Sequence, residues 1–270
     1  MKHLLALAIG AACALPLSTA AQSIVSRGQS FVSVGIIPGA LDASGTRTIG
    51  LSLEMEKEWK TYWRSPGQAG IPPSIDWSAS QNLAEAEIRW PMPAVYESFG
   101  LKTVGYADRV TLPVVLTPKD PAKPIQVSVS LMLGVCRDIC VLEETSITGT
   151  LPADLVEGAD YVEMALKSVP PPGAELGMQS ATCRIAGSGK SREFRATLAF
   201  DRPVGDAVVL IEGPDGAWFH QTKTRVEAEQ VHVTSDLDLL FDDVWMTRDA
   251  VRMTLLAGDW AADVQGCEAP

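Results

Sequence analysis

Two cysteines separated by three residues, Cys136 and Cys140, carry the clearest chemistry in this sequence. They follow a stretch in which apolar residues alternate with small or polar ones, which predicts a strand over 125–135. In that strand Cys136 shares a face with Ser130 and Met132 and not with the valines. A disulfide across so short a loop adds only about 2 kcal/mol of stability in the chain-entropy model. The spacing therefore favours a bond that is made and broken by thiol–disulfide exchange.

The first 21 residues have the pattern of a secretory signal peptide. Lys2 and His3 precede an apolar run over 4–17, which is too short to span a bilayer and is followed by small residues. Disulfides persist in oxidising compartments, so export suits a chain with paired cysteines. We expect an exported mature protein of about 250 residues with no membrane span.

The composition excludes several classes of function. The chain is acidic, with a formal net charge of -11, and no run of Lys or Arg builds a basic face. We therefore expect no nucleic-acid partner and interpret the acidity as a source of solubility. The sequence has no recognisable Ser-His-Asp arrangement or Gly-rich phosphate loop, and we expect no cofactor.

Two further cysteines, Cys183 and Cys267, are far apart in the second half of the chain. An even number of cysteines in a mature exported protein indicates disulfides. Closing a loop of this length stabilises a fold by about 4.5 kcal/mol in the chain-entropy model. We interpret this wide pair as a structural disulfide that ties the first strand of the second half to its end.

Short strand patterns separated by Pro and Gly turns fill both halves of the chain and predict an all-β fold of antiparallel sandwiches. The predicted strands are 31–37, 49–55, 87–90, 110–117, 125–135, 182–185, 194–200, 207–211, 230–234 and 251–256. A helix is predicted over 152–168, before the proline-rich run 170–173. We expect a first domain over 22–155, a helix and linker over 156–173, and a second domain over 174–270.

Four stretches of the first half, 59–77, 89–100, 105–114 and 134–144, form an ordered set of motifs. The last of them reads Gly-Val-Cys-Arg-Asp-Ile-Cys-Val-Leu-Glu-Glu. Together, over about residues 30–155, they resemble the N-terminal domain of the thiol:disulfide interchange protein DsbD and its relative ScsB. The spacing between the two cysteines is shorter than in the best-known DsbD members and closer to that of ScsB-like sequences.

This resemblance implies an immunoglobulin-like sandwich that acts in the bacterial periplasm as a protein-disulfide reductase or electron carrier. It implies that Cys140 joins a thioredoxin-like partner in a mixed disulfide and that Cys136 is its redox partner. It also implies a short cap loop over the pair, matched here by Glu97, Phe99 and Gly100, with Phe99 as the shield. We expect the electron donor to be a separate membrane protein of the DsbD, ScsB or CcdA type.

Two other interpretations stay open at this point. The first is a non-catalytic, exported immunoglobulin-like binding module in which both disulfides are structural. The second is a copper(I)-binding protein, because two thiolates suit that soft ion and Met132 could assist. Five aromatic residues near the motifs are assigned to packing: Trp59, Tyr62, Trp63, Trp77 and Trp90.

Overall fold

The structure is a computed structural model that describes residues 30–98, 100–154 and 157–270. The predicted signal peptide at 1–21 lies outside the described residues. The strands of the first half are β1 (Val32–Leu41), β2 (Arg47–Met55), β3 (Lys60–Gly67), β4 (Ser74–Asp76), β5 (Leu83–Ile88), β6 (Ala94–Ser98), β7 (Leu101–Ala107), β8 (Arg109–Pro118), β9 (Ile125–Cys136) and β10 (Cys140–Leu151). Those of the second half are β11 (Met178–Ala186), β12 (Ser191–Phe200), β13 (Val208–Glu212), β14 (Ala217–Phe219), β15 (Lys223–Glu227), β16 (Gln230–Leu239), β17 (Arg252–Ala257) and β18 (Trp260–Gln265).

The first half forms two antiparallel sheets, which we call the first sandwich. One sheet has the order β1-β2-β8-β5, and the other has the order β10-β9-β3-β7-β6, with β4 also pairing to β9. Because side chains alternate along a strand, each sheet turns one apolar face toward the other. The core between them contains Leu51, Leu112 and Leu133, all without exposed surface.

Strand β9 confirms the predicted alternation. Its inward residues are buried, and they are Val127, Val129, Leu131, Leu133 and Val135. Ser128, Ser130 and Met132 lie on the other face, which leads to Cys136 at the end of the strand. The regular alternation fixes the register of β9, since a slip of one residue would expose every buried side chain.

The segment between the halves contains a helix α1 (Ala159–Lys167) and a 3-10 helix at Gly173–Leu176. The predicted helix over 152–168 is too long at its start, because Gly158 has a φ of 78° and stands as the N-cap of α1. Val162 is the residue of α1 that is buried, and its side chain approaches Gly39 and Gly50 of the first sandwich. Leu166 near the end of α1 lies exposed.

The second half forms a second sandwich from one sheet with the order β11-β12-β16-β14, to which β15 also pairs, and one with the order β13-β17-β18. Phe194, Leu198, Met253 and Leu255 lie fully buried between these sheets. The predicted all-β architecture of immunoglobulin-like sandwiches is therefore confirmed. Among the described residues, no helix has the length and apolar character needed to cross a bilayer.

The two sandwiches contact each other through β3 of the first and the β13–β17 sheet of the second. Arg64 forms an ion pair with Glu212, with Nη2 and Oε2 2.9 Å apart. Leu210 of β13 also packs against the core of the first sandwich. The strands of the first sandwich pair with one another within residues 32–151, and those of the second pair within residues 178–265. The exact domain limits at 155 and 174 stay a prediction.

Candidate redox site

Cys136 and Cys140 face each other across the β9–β10 hairpin. Cys136 ends β9, Cys140 begins β10, and the ladder pairs the two residues directly with a Cα–Cα distance of 4.1 Å. Arg137, Asp138 and Ile139 form the loop, in which the Arg137 N–H donates a hydrogen bond to the Ile139 carbonyl at 3.0 Å. The sulfurs are joined in a disulfide. The hairpin thus holds both sulfurs at one end of the six-stranded sheet.

The two cysteines differ in exposure. Cys136 is half-buried, whereas Cys140 belongs to the exposed residues of the hairpin. Thiol–disulfide exchange requires an attacking sulfur to approach one sulfur of the disulfide, so access decides which of them reacts. The geometry makes Cys140 the more accessible of the two.

Tyr62 of β3 supplies the polar contact to both sulfurs. Strand β3 pairs with β9 at Lys60 opposite Cys136, and this places Tyr62 beside the end of the hairpin. The Tyr62 hydroxyl lies 2.9 Å from Cys136 Sγ and 3.5 Å from Cys140 Sγ. A disulfide sulfur carries no proton, so the phenol is the donor here. Burial raises the pKa of Tyr62, which keeps the phenol protonated at neutral pH.

Two glycines make room for the Tyr62 ring. A Cβ on Gly134 would lie 2.9 Å from two ring atoms of Tyr62. A Cβ on Gly70 would lie 2.9 Å from Tyr62 Cδ1 and 2.3 Å from Pro66 Cβ. The ring is therefore enclosed between the β9 backbone and the segment that follows β3, with Ile71 beside it. This close fit orients the hydroxyl toward the sulfurs.

Charges of both signs surround the hairpin. Arg137 forms an ion pair with Asp138, with Nε and Oδ2 3.0 Å apart, and its guanidinium lies 5.5 Å from the centre of the Trp59 ring. These two residues line an open depression with Glu58 and Lys60. The Arg137 charge, which would favour a thiolate, is thus offset by its neighbour. The hydroxyl of Tyr62 is left as the directed donor to sulfur.

Apolar side chains form a rim beside Cys140. Ile139 is 64% exposed, Leu142 is 48% exposed and Ile71 is 37% exposed. Large aliphatic side chains grouped on a surface are typical of contact sites for other molecules. This rim would be covered by any protein that approaches the exposed cysteine.

Comparison with known proteins shows which family this hairpin is similar to. Residues 33–152, which include both cysteines and Tyr62, match the family model "Thiol:disulfide interchange protein DsbD, N-terminal". The match covers 120 of the 270 residues, so it shows what the first sandwich is similar to. The resemblance inferred from the motifs is confirmed, and because of this similarity we call the first sandwich, with the cysteine pair at one end, the DsbD-type domain.

The shared fold extends beyond the DsbD-type domain. The crystal structure of the N-terminal periplasmic domain of ScsB from Proteus mirabilis aligns with a TM-score of 0.71 and 20% sequence identity. The alignment covers 90% of this chain and 96% of that chain, so both sandwiches have counterparts there. A search of curated proteins found no significant match.

The predicted cap of the DsbD-type domain is described only in part. Glu97 lies exposed on β6 opposite Lys102, and Gly100 has a φ of 77° in the tight turn between β6 and β7. Phe99, the predicted shield, lies outside the described residues. Of the residues that are described, Tyr62 makes the hydrogen bonds to the two sulfurs. The shielding role of Glu97, Phe99 and Gly100 stays a prediction.

Sequence reasoning missed Tyr62, which it had assigned to packing. Its contact with Cys136 spans 74 positions and depends on the pairing of β3 with β9. The motif around Tyr62 was part of the family resemblance, but nothing in its local pattern pointed to a sulfur. The nearby Gly70 and Gly134 were a usable signal, because they allow close approach of a ring.

The second cysteine pair lies in the second sandwich. Cys183 of β11 is 1% exposed, and it is joined to the half-buried Cys267 with a Cα–Cα distance of 5.7 Å. The backbone N–H of Cys183 also donates to the carbonyl of Glu268 at 2.9 Å. Its purely structural role stays a prediction. Within the described ranges, no group of three or more His, Cys, Asp or Glu residues is placed to hold a metal ion.

Proposed function

We propose that the Cys136–Cys140 pair is the redox centre of a periplasmic electron carrier. It would pass two electrons from a membrane donor of the DsbD, ScsB or CcdA type to a thioredoxin-like protein. The observation that carries this proposal is an accessible Cys140, bonded to a half-buried Cys136 that accepts a hydrogen bond from Tyr62, in a DsbD-type domain. The related ScsB domain is described as periplasmic, which supports the same compartment for this chain.

The proposed transfer to a partner has two steps. The Cys140 thiolate attacks one sulfur of the partner's disulfide, forms a mixed disulfide and releases the partner's other sulfur as a thiolate. The Cys136 thiolate then attacks Cys140 Sγ, which restores the Cys136–Cys140 bond and releases the partner's remaining thiolate. The partner gains two electrons and takes up two protons, and the pair is oxidised. A reduced dithiol of the membrane donor returns the pair to its reduced state by the reverse sequence.

Tyr62 gives the two cysteines different roles in this sequence. Its hydroxyl is closer to Cys136 Sγ, at 2.9 Å, than to Cys140 Sγ, at 3.5 Å. A hydrogen bond to a charged group stabilises that charge more than it stabilises a neutral sulfur. Tyr62 therefore favours the Cys136 thiolate, which is the leaving group when Cys140 is attacked and the attacking group when the mixed disulfide is resolved.

A trapping experiment tests the assignment of the two cysteines. In the Cys136→Ala protein, Cys140 has no resolving partner, so we expect mixed disulfides with thioredoxin-like proteins to accumulate on non-reducing gels. The Cys140→Ala protein is the matched control and should trap far less. Trapping by the Cys140→Ala protein alone would reverse the two roles. Trapping by neither variant would refute the proposed function.

A redox titration separates this proposal from two structural disulfides. Structural disulfides of exported proteins have reduction potentials below about -300 mV, whereas exchanging ones are more oxidising. We expect glutathione buffers to reduce Cys136–Cys140 while Cys183–Cys267 stays oxidised and the fold stays intact. Mass spectrometry after alkylation of free thiols reads out both pairs in one sample. A narrow pair that survives millimolar glutathione would favour the non-catalytic binding module.

A further inference from the structure

The ion pair between the two sandwiches lies on the strand that carries Tyr62. Arg64 follows Tyr62 by two positions in β3, and Glu212 ends β13 of the second sandwich. The contact is bidentate, with Arg64 Nε and Nη2 each 2.9 Å from a carboxylate oxygen. Arg64 Nη2 also donates to the hydroxyl of the fully buried Thr254 at 3.3 Å. The side chains of Arg64 and Glu212 are only 14% and 20% exposed, so solvent screens this pair weakly.

Arg64 lies in a bulge of β3, where the backbone pairing with the neighbouring strands is interrupted. The β3–β7 ladder pairs Tyr62 with Gly105 and resumes only at Gly67 with Thr103, so residues 63–66 face a single residue of β7. The β3–β9 ladder ends at Thr61. Side-chain contacts must therefore fix this bulge, because the backbone ladders on both sides are interrupted.

Arg64 ties the outer side of the bulge to the second sandwich through Glu212 and Thr254. A cavity of about 80 Å³ lies between the two sandwiches beside Ser65 and Gly67, lined across the gap by Leu210 and Phe219. Pro66 ends the bulge and lies against Gly70, which in turn lies against the Tyr62 ring. A movement at Arg64 would thus be transmitted through Pro66 to Gly70 and to the Tyr62 ring beside it.

We propose that Arg64 is a positioning residue through which Glu212 of the second sandwich holds the Tyr62 hydroxyl on Cys136. The second sandwich then sets the reactivity of a disulfide that lies wholly in the first. This inference rests on the proposed exchange activity of the pair, and it assigns to the second sandwich a part in that activity.

Exchange with glutathione measures this coupling without a protein partner. A glutathione thiolate attacks Cys140 Sγ, the Cys136–Cys140 bond breaks and Cys136 leaves as a thiolate. A second glutathione thiolate then releases the Cys140 thiolate and gives oxidised glutathione. We expect Glu212→Ala to slow the first step roughly three- to tenfold, because the leaving Cys136 thiolate loses its hydrogen bond. Glu193→Ala removes the carboxylate of another Arg ion pair in the second sandwich and should exchange at the wild-type rate.

A double-variant comparison shows whether Glu212 acts through Tyr62. The Tyr62→Phe protein should exchange slowly, and adding Glu212→Ala should slow it no further, since the hydrogen bond is already gone. Arg64→Lys keeps the charge but loses the bidentate fork, and it should give a partial loss. It also serves as the second variant if Glu212→Ala fails to fold.

The thiol pKa of Cys136 gives a readout that loss of stability alone would not move. In a Cys140→Ala background, thiolate absorbance at 240 nm against pH should show a Cys136 pKa raised by up to about one unit in Glu212→Ala. An unchanged pKa and exchange rate in Glu212→Ala would overturn the inference. Equal slowing by Glu212→Ala with and without Tyr62 would also overturn it. Failure of the proposed function shows separately, when neither the Cys136→Ala nor the Cys140→Ala protein traps a thioredoxin-like partner.

Discussion

Gly134 is the residue on which the position of Tyr62 depends most directly. Because a Cβ there would lie 2.9 Å from Tyr62 Cδ2 and Cε2, Gly134→Ala forces the ring away from the sulfurs. We expect this variant to lose about 1–3 kcal/mol of stability through overpacking. Its exchange with glutathione should slow as much as that of Tyr62→Phe. Urea unfolding and stopped-flow exchange measure the two effects.

Gly149 offers a matched control on the same hairpin. It lies in β10, and a Cβ there would meet nothing within 4 Å. Gly149→Ala should therefore leave the exchange rate unchanged and keep or slightly raise stability, since alanine restricts the unfolded chain. If Gly134→Ala exchanges at the wild-type rate, the orientation of Tyr62 does not govern the chemistry.

Ile139 is the most exposed of the three apolar rim residues. It is 64% exposed in the loop between the cysteines. We expect Ile139→Ser to change stability by less than about 0.5 kcal/mol. The same change should raise the KM for a thioredoxin-like partner roughly three- to tenfold, because apolar contact around the sulfur is lost. Tyr161→Ser, on the similarly exposed surface of α1, is the control and should leave the KM unchanged.

The cysteine pair could be read from spacing and periodicity alone, whereas its polar neighbour could not. Alternation along β9 placed Cys136 outside the core, and the structure confirms that placement. The contact of Tyr62 arises only when β3 pairs with β9, a long-range pairing that local patterns do not encode. Ile139 and Leu142 were missed for a similar reason, since exposure is a property of the folded chain.

At the level of elements, strands with a regular apolar alternation, such as β9, were predicted. Strands β3, β7, β10 and β18 were missed although each contains buried residues. Strand β10 has twelve residues, yet it is an edge strand whose buried residues are Ile147 and Leu151, so its sequence lacks a clear apolar alternation. It forms by pairing along the full length of β9. The helix was predicted too long because apolar spacing outweighed Gly158, whose positive φ sets the start of α1.

Strand β7 carries a buried tyrosine that makes stability depend on pH. Tyr106 is 7% exposed and donates its O–H to the Pro91 carbonyl at 2.8 Å. Burial raises the pKa of Tyr106 far above its ordinary value near 10. The contribution of Tyr106 to the free energy of unfolding is therefore complete below pH 10. It falls as the pH rises above 10, because only the unfolded state then loses the phenol proton. The expected slope is up to about 1.4 kcal/mol per pH unit.

The Tyr106→Phe variant isolates this contribution. At neutral pH it should be less stable by about 1–3 kcal/mol, because the buried Pro91 carbonyl loses its partner. Between pH 10 and pH 11 the difference from the wild type should shrink, which urea unfolding at each pH can measure. Tyr62 and Tyr96, whose pKa values are also raised by burial, titrate in both proteins and cancel in the comparison. A difference that stays constant with pH would contradict the assignment.

At the scale of the whole molecule, each sandwich contains one of the two disulfides. The narrow pair ends a hairpin at the surface of the first sandwich, and the loop that it closes is residues 137–139. The wide pair begins at the buried Cys183 and ties β11 to the end of the chain. An exchanging bond is useful only if the fold survives its reduction. Under the proposed function, the wide pair would supply stability and the narrow pair could be reduced without loss of the fold.

Removal of each disulfide should therefore have unequal effects on stability. The chain-entropy model assigns about 4.5 kcal/mol to the Cys183–Cys267 loop, whose ends are 84 positions apart, and about 2 kcal/mol to the narrow loop. We expect the Cys183→Ala/Cys267→Ala protein to lose more than twice as much unfolding free energy as the Cys136→Ala/Cys140→Ala protein. Urea unfolding followed by tryptophan fluorescence measures this, because both sandwiches contain tryptophans, with Trp63 in the first and Trp260 in the second. A larger loss from removing the narrow pair would mean that this bond holds the first sandwich together, and a bond on which the fold depends could not open in every catalytic cycle.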